Sequence, residues 1–195
     1  MGVILAASDC VSWLVETTGR DITALMQEME QTDPLDTLPL FHPYLSGERT
    51  PHNDAGASAA FIGLRRGDGV VDMTRAVLQG VAFAIADAVD VLKSAYGAPT
   101  RLLATGGGAQ NTLWLHYIAS ITGCPIDVPE GADIGAALGA ARLAMIADGH
   151  HLQAVCQKPP IARTIMPEKS WAEPLSEGRL KWKAAYQALA PLIRP

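Results

Sequence analysis

Residues 101–114 read RLLATGGGAQNTLW, and the fold class turns on them. Leu102, Leu103 and Ala104 form a short apolar run, three glycines follow, and Asn111 stands three residues past the last of them. An apolar run that enters a glycine turn and leaves as a helix is a strand–loop–helix unit. Glycines at such a junction have two physical uses: backbone angles that a Cβ forbids, and close approach of main-chain N–H groups to a ligand. An ordinary tight turn takes one or two glycines. Three in succession point to a ligand, and nucleotides exploit both uses.

Working outward, the spacing predicts a helix from about Thr112 to Gly123, a strand in PIDVPE (125–130) and a helix in DIGAALGAARLAMIADG (133–149). Strand, loop, helix, strand, helix is the order of an α/β layer fold, a sheet flanked by helices. Upstream, Met73, Val77, Gly80, Val81, Ala84, Ile85, Ala88 and Leu92 fall on one face of a long helix. Asp72 is its expected N-cap and Gly97 its stop. Gly80, Ala84 and Ala88 would let it pack closely on a sheet. Two short helices are expected over 5–18 and 22–30, split by Gly19, and a closing helix over about 175–192. Between Thr32 and Gly69 lies a long irregular segment rich in Pro, Gly, His and Asp, with SAAFIGL (58–64) as its strand. Loops of that length within a compact domain are usually functional.

The chain has 195 residues, 49% of them hydrophobic, enough for one sizeable core. A net charge of −5, with Lys and Arg scattered, argues against a nucleic-acid surface. Cys10, Cys124 and Cys156 lie far apart with no CxxC pair, and read as reduced thiols of a cytoplasmic protein. No run of about eighteen apolar residues is present, so no membrane span is expected. Two nucleotide motifs can be weighed at Gly106. A P-loop requires GxxxxGK, and no Lys lies nearby. A dinucleotide fingerprint is matched in part, by Gly106, Gly108 and an acid at Asp127, but Asn111 takes the place of the third glycine.

TGGGAQNTLWLHYIASITGCPI, followed by EGADIGAALGAARLA, resembles the adenosine-binding segment of the FGGY carbohydrate kinases. FHPYLSGERTPHND and GLRRGDGVVDMTRAVLQGVAFAIAD resemble stretches found in the branch of that family that phosphorylates D-xylulose. The resemblance runs over residues 1–150 and more loosely through the last helix. It implies an actin-like, ribonuclease H-like ATPase fold of two α/β domains, of which this chain is the C-terminal, nucleotide-binding one. The N-terminal domain, with the sugar contacts and a general-base Asp, is then expected elsewhere, as are the opening strands. No catalytic residue and no metal ligand is expected here, and the piece alone should be inert. ATP and Mg²⁺ are the implied cofactors. The N-terminal domain and D-xylulose are the implied partners, with ribulose, gluconate or glycerol as alternative sugars. Carried over residue by residue, Gly107, Gly108 and Asn111 would lie against ribose and adenine, while Gly106 and Ala109 shape that wall. If the opening strands are missing, an open sheet edge should promote self-association. A nucleotide-sensing module and a dinucleotide-dependent oxidoreductase domain remain as readings from other classes.

Other polar residues receive plainer readings. Asp87 and Asp90 are expected on a solvated helix face, and Asp133 as a helix cap. The loop Glu48-Arg49-Thr50-Pro51-His52 reads either as a surface ion-pair loop or as an ordering element at the domain cleft. His150 and His151 read as a surface turn, and Trp13 and Trp114 as core or pocket walls.

Overall fold

The computed structural model describes residues 1–193. Two short helices open it, α1 (Asp9–Thr18) and α2 (Ile22–Met29). Gly19 ends α1 in the left-handed region at φ 66°, and Asp21 caps α2 by accepting the Ala24 N–H. The irregular segment then yields a small antiparallel pair, β1 (Leu40–His42) and β2 (Ala60–Ile62). β1 was not foreseen, being three residues set between prolines.

The long helix is α3 (Val70–Tyr96), 27 residues or about 40 Å. It begins two residues before Asp72, so the expected cap is displaced: Asp72 Oδ2 instead accepts the Gly69 N–H at 2.9 Å from the third helical position. Gly97 does end the helix. α3 is buried along most of its length and packs against α1, α2 and β1 as well as α4 (Thr112–Thr122). Gly80 is what admits β1 so closely, because a Cβ there would overlap the Phe41 carbonyl.

A three-stranded sheet carries the second half, with β3 (Leu102–Leu103) parallel to β4 (Ile126–Pro129) and β4 antiparallel to β5 (Ile161–Ile165). The parallel pair with α4 between its strands is the crossover predicted from the sequence. β5 was not foreseen, lying in a polar, proline-bearing stretch. After β4 a short 3₁₀ turn (Ala132–Ile134) leads into α5 (Gly135–Ala147), then α6 (Leu152–Val155). Asp133 lies inside the turn, and no side-chain hydrogen bond caps α5, so the expected cap is absent.

α7 (Lys169–Ile193) starts six residues before the expected position, with Pro174 accommodated inside it. Its early turns are held by Trp171 against Tyr117, ring centroids 5.6 Å apart. Further along, Trp182 is sunk in the core and donates its indole N–H to the Phe41 carbonyl at 2.7 Å. Asp87, expected in solvent, is 4% exposed beneath α7. It accepts Arg179 Nε and Lys183 Nζ, each at 2.9 Å.

Candidate functional site

β3 ends where Ala104 donates to the Asp127 carbonyl at 2.9 Å, and the chain then turns through Gly106 at φ 90°. A side chain would be strained there. Gly107–Gln110 form one 3₁₀ turn, and Asn111 opens α4. Asn111 Oδ1 accepts the Trp114 N–H at 3.0 Å, while Nδ2 lies 3.0 Å from Met26 Sδ of α2. The amide oxygen is therefore engaged as a helix cap and one amide hydrogen by Met26, and the second amide hydrogen is what remains to meet a ligand.

A pocket of about 570 Å³ opens between this turn and α2. Met26 and Met29 give it a soft apolar side, and Thr32 and Pro34 come from the chain just after α2. Gly107, Gln110, Asn111 and His116 face them. That size lies within the usual range for a small-molecule site, apolar with a few directional polar groups.

The structure divides the expected site residues. Gly107 and Asn111 line this pocket, whereas Gly106, Gly108 and Ala109 do not. Those three line a second groove of about 420 Å³ together with Ile85, Val89, Trp114 and Gly107, which borders both. Gly108 is bare for an internal reason: a Cβ would run into the Trp114 ring. Trp114 is thus a wall of that groove, as expected.

Several contributors were not foreseen. Met26, Met29 and Pro34 gave no signal beyond an apolar pattern and a loop. Arg163 on β5 donates to the Ala109 carbonyl at 2.8 Å and to Thr112 Oγ1 at 3.2 Å, tying the exit of the glycine turn to the start of α4. Asp127, the acid of the partial dinucleotide fingerprint, is engaged by Arg101 and by Thr164, each at 2.6 Å.

The Glu48–His52 loop is not a surface ion-pair loop. Glu48 is 1% exposed, its Oε1 accepts the Arg49 N–H at 2.6 Å, and its main chain exchanges two hydrogen bonds with Asp54. Burial raises the Glu48 carboxyl above its ordinary value. His52 stacks on Tyr186 of α7 with centroids 4.0 Å apart, and its Nε2 lies 3.1 Å from the Tyr44 hydroxyl. His150 and His151 are exposed beside Gly149, as expected of a surface turn.

The sequence profile of the FGGY family of carbohydrate kinases, C-terminal domain, matches residues 1–147. A xylulose kinase of Escherichia coli (strain K12) is 37% identical over 196 residues, covering 99% of this chain and 40% of the relative. One from Klebsiella pneumoniae is 40% identical over 148 residues, covering 75% of this chain and 30% of the relative. Among solved structures, a xyloylose kinase from Brucella ovis superimposes with a TM-score of 0.87 at 42% identity, covering 98% of this chain and 40% of that one. The chain spans about 40% of the length of these longest matches. Among the described residues, no helix is long and apolar enough to cross a membrane.

Proposed function

This chain belongs to the FGGY family of carbohydrate kinases, matching its C-terminal domain, and from that premise we propose that it is the ATP-binding part of a sugar kinase. The parent reaction moves the γ-phosphoryl group of ATP to D-xylulose, giving ADP and D-xylulose 5-phosphate. Phosphoryl transfer needs a held nucleotide, a metal on its phosphates and a base for the hydroxyl proton. This chain supplies the first. The general-base Asp and the sugar contacts belong to an N-terminal domain corresponding to the remainder of the relatives' length. On this reading the β3–turn–α4–β4 unit is part of an actin-like, ribonuclease H-like domain.

The observation that carries the reading is the pocket between α2 and the glycine turn. Its methionines offer polarisable surface to a flat ring, and its glycine lets main chain approach. Asn111 offers an N–H donor to a ring nitrogen of a purine. Gly107 and Asn111 would lie against adenosine, with Gly106, Gly108 and Ala109 shaping the wall behind. Mg²⁺ would enter on the nucleotide phosphates and neutralise charge there; the described residues gather no group of three or more His, Cys, Asp or Glu to hold it.

Isothermal titration of the chain with ADP and, separately, with NADH tests this. ADP should bind and NADH should not, and the chain with ATP and D-xylulose should show no turnover. Binding of NADH with none of ADP would replace the kinase reading by the dinucleotide one.

A further inference from the structure

Beside α2, part of the pocket wall facing the glycine turn is neither helix nor strand. It is the strap of residues 30–38, which leaves α2 and carries Thr32 and Pro34 into the lining. Thr32 is tied back to the Met29 carbonyl at the end of α2, but beyond it the strap has only a local turn at Asp33, so side chains from elsewhere set its position.

Two fully buried residues do so. Arg75 of α3 donates to the Asp33 carbonyl and, at 3.3 Å, to Asp36 Oδ2, with Asp72 Oδ1 at 3.8 Å. Tyr117 of α4 donates its hydroxyl to the Pro34 carbonyl at 2.8 Å. A guanidinium removed from water is destabilising unless its donors are met, and most of those met here belong to the strap. Tyr117 directly follows His116 of the pocket and lies on the helix that Asn111 caps. One hydroxyl therefore joins the strap to the element that bears the opposite wall.

We propose that Arg75 and Tyr117 are positioning residues for the nucleotide pocket, fixing the Thr32–Pro34 wall relative to the glycine turn. The inference rests on the nucleotide reading and adds to it a dependence of base affinity on two side chains outside the pocket lining. A wall already in place spares the ligand the entropy of ordering it.

Tyr117→Phe is the informative variant, since it keeps the ring against Trp171 and deletes the hydroxyl alone. Asp36→Asn weakens the Arg75 contact from the surface side. Hydrogen exchange should accelerate several-fold in peptides spanning 30–38 in both variants, with the middle of α3 unchanged. ADP affinity should fall roughly five-fold in Tyr117→Phe, the scale of one net hydrogen bond. If wild type binds ADP and the variant matches it in both measurements, the positioning role is overturned and the nucleotide reading stands. If wild type binds no ADP, the nucleotide reading falls and the proposal falls with it.

Discussion

Asp87, in the middle of α3, and Arg179, on α7, form an ion pair across 92 positions of sequence, with Arg179 Nε 2.9 Å from Asp87 Oδ1. Lys183 Nζ closes on the same oxygen at 2.9 Å. Removing this carboxylate, itself only 4% exposed, leaves Arg179 with the half-exposed Asp90 alone and sets it against Lys183. Asp87→Ala should therefore cost about 3 kcal/mol in urea unfolding, while Asp90→Ala, whose carboxylate is about half exposed, should cost under ~1 kcal/mol. Equal losses at the two sites would show that α7 is not pinned at Asp87.

Asn111 has two tasks that substitution can separate. Asn111→Asp keeps an oxygen to cap the Trp114 N–H but loses the amide hydrogens, so stability should hold while ADP affinity drops about ten-fold. Asn111→Ala should lose ~1 kcal/mol of stability as well. Calorimetric melting and titration on the same samples give both numbers. An unchanged ADP affinity in Asn111→Asp would remove this amide from the ligand contacts.

Acid sensitivity should come from buried imidazoles. His42 Nε2 lies 2.9 Å from the Trp182 carbonyl, which can only accept, so Nε2 carries the proton and buried Nδ1 has no partner. Burial lowers the affinity of His42 for a second proton below its ordinary 6.5, and burial does the same at His52. Below about pH 6.5 the unfolded chain takes up protons that the fold refuses, so these groups lose stability as pH falls. Glu48, raised by burial, acts in the opposite sense, its contribution growing as pH falls towards 4.5. The melting temperature should decline from pH 7 to 5.5, and decline less in His42→Gln, whose amide can still donate to Trp182. A slope identical in that variant would acquit His42.

α5 should drive association. Arg142 is its one charged residue, it buries none of its side chains, and Leu143 and Met145 are 69% and 43% exposed. Apolar surface of this kind associates with a matching face. Light scattering at high concentration should report species larger than a monomer, and Leu143→Glu with Met145→Glu should shift them to monomer. A monomeric wild type would contradict this.

Much of the architecture was legible because it is local. The period of α3, the glycine stops at Gly19 and Gly97, and the run from β3 through α4 to β4 are all encoded within a few turns of chain. β5 was not, since Ala162, Arg163 and Thr164 give no apolar alternation; it is a strand because the edge of β4 accepts it. The same holds for Asp87, a charged residue that reads together with Asp90 as a solvated face and becomes buried only when α7 lands on it. At the site, the glycine turn was readable and the strap was not, for its place depends on Arg75 and Tyr117, 39 and 83 positions from their partners. An asparagine ahead of an apolar helix signals a cap, but sequence cannot apportion one amide between cap and ligand.

The sequence profile stops at residue 147, yet Trp182, Tyr186 and Ala190 lie in the same apolar cluster as Phe41 and Phe83. The end of the family profile and the end of the folding unit are thus different places in this chain. A polypeptide trimmed to the recognised portion would lose the indole that closes over β1 and the cations that neutralise Asp87, and should fail to stay folded even with its glycine turn intact.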